Sequence, residues 1–168
     1  LNNFSLESIA AALKPAENEL LPKDSLKEFG LKLNGAMVAS DGFLALISPT
    51  STISSFINPD FSGFLYYDDK NAWPGYVFKL KEGADLTQAK TAVAALEKAN
   101  LAALYPVNPG APAKGGFKNG SVGDIKTRYL TFPTAKVSFV YGWQGEYLIM
   151  STSFDGFKKA TGLLQSEE

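Results

Sequence analysis

The apolar positions of this chain fall into short runs, some alternating and some at helical spacing, separated by Gly, Pro, Asp and Asn. The clearest periodic stretch is Leu86, Ala89, Val93 and Leu96, one helical stripe opened by Asp85 as N-cap with Gln88 three residues later. Residues 62–68 and 75–81 read as two strands joined by the polar loop Asp69-Lys70-Asn71. Three more strands are predicted at 125–132, 136–141 and 146–152, with Pro133 breaking the first pair and a turn at Trp143-Gln144-Gly145 separating the last two. Ser153 then caps a closing helix that carries Phe157 and Leu164.

The first third of the chain is less regular. Asn3 or Ser5 caps a helix through Ile9 and Leu13 that Pro15 ends, and residues 19–25 form a connector containing Pro22. Residues 36–40 and 43–48 flank Asp41-Gly42, a pair suited to the positive φ angles of a two-residue hairpin turn, and 50–57 reads as a short helix before Pro59. Residues 106–124, with Pro106, Pro109, Pro112 and five glycines, read as a long surface loop with a short strand near Phe117. The expected fold is α+β: an antiparallel sheet built from hairpins with helices packed on one face, in a single domain over residues 1–168. A weak internal echo, 42–48 against 145–151, presents both segments as second strands of hairpins leading into helices.

Composition adds mainly exclusions. A chain of 168 residues with 45% hydrophobic and 20% charged residues is an ordinary globular sequence, able to bury roughly 70% of its unfolded surface. It has neither cysteine nor histidine, so disulfides, thiolate nucleophiles, Cys/His zinc sites and imidazole bases are all excluded. The net charge of -1 provides no basic field for nucleic acid. Arg128 is the only arginine, which argues against a bidentate phosphate clamp. No apolar run approaches a membrane span, although the absence of an initial Met leaves room for an upstream signal or anchor.

The strongest candidate chemistry is aromatic. Phe64, Tyr66, Tyr67, Trp73, Tyr76 and Phe78 crowd one predicted hairpin, and Tyr129, Tyr141, Trp143 and Tyr147 crowd another. Alternation places rings on both sides of a strand, so one set is free either to face outward as a recognition surface or to fill the core. The candidate ligand-binding residues are Tyr66, Trp73, Tyr76 and Trp143. Asp60, Asp68, Asp69 and Asn71 lack the alternating spacing of a calcium loop, and Asp68-Asp69-Lys70-Asn71 reads as a solvated turn, so no metal is expected. Glu97 and Glu146 are candidates for a carboxylate-dependent hydrolase, but no spacing pairs them, and Glu97 fits a solvated helix face. Ser151-Thr152-Ser153 has no histidine partner; a Ser–Lys dyad with Lys158 or Lys159 would need a cleft, whereas an N-cap explains Ser153 directly. Gly110 and Gly115 have the first spacing of a Walker loop, but Gly116 and Phe117 stand where its Lys and Ser/Thr belong.

The run Tyr147-Leu148-Ile149-Met150-Ser151-Thr152-Ser153, followed by Phe157-Lys158-Lys159-Ala160, resembles the end of domains in an uncharacterised family of bacterial exported or membrane-anchored proteins. Leu20-Leu21-Pro22-Lys23-Asp24-Ser25 is similar to a segment near their start, and the 76–80 strand with the Asp85 helix is similar to their central unit. The resemblance implies a location outside the cytoplasm and a non-catalytic role, with no catalytic residues to carry over. The leading expectation is therefore an extracytoplasmic domain, without cofactor or catalytic set, that binds a protein, small-molecule or glycan partner through its aromatics. The alternatives are a structural scaffold domain of a larger envelope protein and a carboxylate-dependent hydrolase.

Overall fold

The computed structural model describes residues 4–19 and 21–165. Seven strands form one fully antiparallel sheet: β1 (Ser25–Phe29), β4 (Ile57–Tyr67), β5 (Ala72–Leu80), β6 (Lys118–Val122), β7 (Ile125–Thr131), β8 (Ser138–Gln144) and β9 (Tyr147–Ser151). Their order across the sheet is β1-β4-β5-β9-β8-β7-β6, while β2 (Lys32–Leu33) and β3 (Ala36–Met37) make a separate ribbon. The helices are α1 (Leu6–Leu13), α2 (Ser40–Ile47), α3 (Leu86–Val93) and α4 (Phe154–Gln165). This is the expected α+β fold with an antiparallel sheet built from hairpins, but its helices cover both faces of the sheet and not, as expected, one.

Register assigns the two faces. Tyr66 lies opposite Trp73, and Gly75 lies between Phe64 and Ser151, so these residues share one face. Tyr76, Met150 and Tyr141 are successive partners on the other. Helix α2 covers the Tyr76 face, with the Phe43 ring 4.5 Å from Tyr76 and 5.0 Å from Phe61. Helix α3 and its 3-10 continuation Ala94–Lys98 lie over the β7–β8 end of that face, and α1 packs against the 3-10 turn Leu101–Leu104. Helix α4 adds a second layer on the opposite face, where Phe157 is fully buried beside Gly142.

The closeness of α4 depends on Gly156. A Cβ there would meet Ser151 Oγ at 2.8 Å and Tyr66 Cβ at 3.0 Å. Gly156→Val is expected to lift α4 from the sheet at a cost of about 1–3 kcal/mol, measured by urea denaturation; an unchanged midpoint would contradict this packing.

Local chemistry explains most element ends. Ser5 Oγ accepts the Ser8 N–H at 3.1 Å and caps α1; Asn3, the other capping candidate, and Leu20 of the connector lie outside the described residues. Asp85 caps α3 through the N–H groups of Thr87 (2.7 Å) and Gln88 (3.0 Å). Ser153 Oγ accepts the Gly156 N–H at 3.0 Å, the capping role expected of it.

Four expectations are corrected. The predicted hairpin over 36–48 is instead ribbon β2–β3 followed by helix α2. Its turn is Asn34-Gly35, with φ of 51° and 86°, whereas Asp41 accepts the Gly42 N–H in the first turn of α2. Phe43, Leu44 and Ile47 are therefore one helical face, and the echo between 42–48 and 145–151 matches a helix to a strand. The predicted 50–57 helix shrinks to a 3-10 turn at Ile53–Ser55, and β4 begins at Ile57 and runs through Pro59, tolerated where the register with β5 is interrupted. Finally, Trp143 and Gln144 belong to β8, and the β8–β9 turn is Gly145-Glu146, with Gly145 at φ 53°.

Candidate functional site

A cleft of about 850 Å³ opens between α3 and the end of the sheet. One wall is the helical stripe Lys90, Val93, Ala94 and Glu97; the other comes from Lys126, Arg128, Tyr141 and Trp143 on β7 and β8. Two hairpin turns close one end: Gly123-Asp124 of β6–β7 and Gly145-Glu146 of β8–β9, each with a positive-φ glycine first. Alternation explains the sheet wall. Arg128 and Tyr141 are direct register partners, and Lys126 and Trp143 lie two residues along the same face on their strands.

The floor is a closed polar unit. Arg128 grips Glu97 with both arms, Nε to Oε1 at 2.7 Å and Nη2 to Oε2 at 2.6 Å. The Tyr141 hydroxyl donates to Glu97 Oε1 at 2.7 Å, and Arg128 Nη1 donates to Asn119 Oδ1 at 2.8 Å. The Arg128 hydrogen bond holds the Glu97 carboxyl below its ordinary range against the opposing effect of burial, with further help from Tyr141. Burial first, then the hydrogen bond to Glu97 and its charge, push the Tyr141 phenol well above its ordinary value. A carboxylate so engaged is a poor proton carrier. Glu97 is thus no solvated helix residue as expected, and the lone Arg128 is a bidentate clamp, but for an internal carboxylate.

This unit gives a pH dependence. The folded carboxyl of Glu97 titrates below its unfolded value of 4.5, so its stabilising effect is complete above that value and is lost as pH falls through the lower folded one. Glu97→Gln is expected to lower stability at neutral pH by about 1–2 kcal/mol and to flatten the decline below pH 4.5; parallel acid limbs in the two proteins would contradict the assignment.

The four aromatic candidates do not form one surface. Trp143 lines the cleft with its ring half-buried, while its Nε1 is sealed from solvent without a partner among the described residues. Tyr76 is buried under Phe43, and its hydroxyl has no partner among the described residues. Tyr66 and Trp73 are buried on the opposite face of the sheet. Tyr66 lies beneath α4, its edge reaching a groove lined by Asp24, Asp155 and Lys159, and burial pushes its phenol up to about 12. Trp73 donates its indole N–H to Asp68 Oδ2 at 2.9 Å. The expected exposed aromatic surface is therefore reduced to Trp143, because double coverage of the sheet turns rings on both faces into core. Tyr76→Phe is expected to leave stability unchanged or raise it by about 1 kcal/mol, since it removes a buried hydroxyl without a partner; thermal unfolding checks this, and a marked loss would reveal a bond to that hydroxyl.

The remaining candidates have structural partners. Asp68 is nearly enclosed rather than solvated: it accepts the N–H groups of Lys70 and Asn71, both at 2.7 Å, as well as the Trp73 indole. Burial opposes its ionisation, but these donors prevail and hold its carboxyl below the ordinary range. Glu146 pairs with Lys79 at 3.0 Å outside the cleft. Lys159 pairs with Asp24, and no group of metal-binding side chains occurs among the described residues.

No protein-family model, curated protein or solved structure matches the chain. The site is therefore read from its own chemistry. Sequence reasoning missed Lys90, Lys126 and Tyr141 as lining residues, and only the non-local meeting of α3 with β7 and β8 unites them. The one local signal was Gly123-Asp124 between Val122 and Ile125, a hairpin turn that places the β7 residues against β6 rather than at the end of a long loop.

Proposed function

We propose that the chain is a non-catalytic binding domain whose ligand lies in the α3 cleft against the ring of Trp143. The observation that carries this reading is a cleft of about 850 Å³ that combines a half-buried tryptophan with a fully engaged ionic floor. A half-buried indole offers a flat apolar platform at low entropic cost, which suits the face of a sugar ring. Lysines at the rim and Gln144 at the end of β8 supply polar contacts around it. The floor acids and bases satisfy one another, which supports holding a ligand rather than transforming it.

Titration of the chain with a panel of oligosaccharides, followed by tryptophan fluorescence, tests the reading. Saturable quenching without cleavage of the sugar after prolonged incubation is expected. Absence of binding across the panel would leave the scaffold reading, which the burial of Tyr66, Trp73 and Tyr76 favours; bond cleavage would restore the hydrolase. The proposal includes a location outside the cytoplasm, supported by the resemblance of the 147–160 segment. Among the described residues no helix is long and apolar enough to cross a membrane. Fractionation of cells producing the full-length protein tests that location.

A further inference from the structure

We infer that the ligand of the α3 cleft is an acidic sugar, its ring on Trp143 and its carboxylate between Lys90 and Lys126; this rests on the cleft being the binding site. The charges facing the cleft are Lys90, Lys126 and Arg128 against Glu97 and Asp124. Arg128 and Glu97 cancel through their double hydrogen bond, and Arg128 Nη1 is occupied by Asn119. Two ammonium groups then remain against the single carboxylate of Asp124. Neither Lys90 nor Lys126 has an ion pair or side-chain hydrogen bond among the described residues, whereas Lys23, Lys27, Lys79, Lys136 and Lys159 each pair with an acid.

The cleft is thus locally positive on a chain whose net charge is -1. Its two cations without an ion pair among the described residues stand on opposite walls, one from α3 and one from β7. Lys126 follows the Thr127–Gly142 pair on the face and at the ladder position where Trp143 stands on β8. A ring stacked on that indole brings a ring carboxylate beside Lys126, with Lys90 across the gap. Lysine acts on such a group as a mobile point charge and needs no planar fork. A neutral sugar keeps the stacking but leaves both cations unused.

Calorimetric titration at low salt with oligogalacturonate, its neutral methyl ester and an oligoglutamate peptide of equal charge separates these contributions. The acid is expected to bind about tenfold more tightly than the ester, with that advantage shrinking as salt rises from about 20 to about 200 mM. Lys90→Ala with Lys126→Ala should reduce the acid to the affinity of the ester, Asp124→Asn should tighten it, and Lys114→Ala, in the exposed stretch 111–116, should change nothing. Equal binding of acid and ester would overturn the charge assignment while leaving the cleft as a sugar site. Failure of every saccharide would overturn both. Oligoglutamate binding as tightly as oligogalacturonate would overturn the sugar in favour of an acidic peptide, and an unaffected lysine double variant would overturn the proposed seat of the carboxylate.

Discussion

Phe43→Ala is expected to destabilise the chain by about 3–5 kcal/mol, the largest effect of any single truncation considered. Phe43 is completely buried on α2, where its ring meets Phe61 at 5.0 Å, Tyr76 at 4.5 Å and Phe78 at 6.1 Å. Phe61 and Phe78 are themselves stacked at 5.1 Å, so the ring closes an aromatic cluster that joins α2 to β4 and β5. Its removal costs the transfer energy of the ring and opens a cavity whose walls are rigid rings held by strand register, which limits collapse. Urea denaturation measures the change, with a lower midpoint at a similar slope. A loss below about 1 kcal/mol would mean that α2 is not seated on this face.

Trp143→Ala is expected to weaken ligand binding by about 30-fold or more, with a smaller loss of stability than Phe43→Ala because the ring is only half-buried. Removing the indole takes away the platform of the cleft while the Glu97–Arg128–Tyr141 floor keeps its own bonds. Trp143→Phe sharpens the test. The Nε1 group has no hydrogen-bond partner among the described residues, so phenylalanine loses area but no bond and should retain part of the affinity. Fluorescence is unsuited to this variant pair, so calorimetry with the same saccharide gives the comparison. Equal affinities for wild type and Trp143→Ala would remove Trp143 from the site.

The parts of the fold that were legible in the sequence are those governed by local chemistry. The Asp85 cap, the apolar stripe of α3, the Ser153 cap and the three C-terminal strands follow from capping geometry and periodicity, and all are present. The misreading at 36–48 came from two competing turn signals. Asn34-Gly35 is the true turn, and Asp-Gly seven residues later begins a helix because Phe43, Leu44 and Ile47 recur at helical spacing against a face that only the folded sheet supplies. The aromatic residues were legible as a cluster but not as buried or exposed. That distinction depends on α4 covering one face while α2 covers the other, which no local pattern contains.

The candidate site was less legible than the fold. Trp143 was named from the aromatic crowding of its hairpin, yet its neighbours come from residues 90–97 and 124–128, brought together by the passage of α3 over β7 and β8. Glu97 looked like a solvated helix residue because Lys98 follows it; its true partner is 31 positions away in sequence. A single arginine argued against a phosphate clamp, and Arg128 instead grips the chain's own carboxylate at Glu97.

The central claim, that ligand binds in the α3 cleft, is tested most directly by the indole N–H signals of the ¹⁵N-labelled protein. The chain has two tryptophans, so two such signals are expected: Trp73, hydrogen-bonded to Asp68, and Trp143, without a partner among the described residues. Each is assigned by its Phe variant. Addition of oligogalacturonate should shift the Trp143 signal progressively to saturation and leave that of Trp73 in place. A shift confined to Trp73, or no shift of either signal at saturating sugar, would contradict the account.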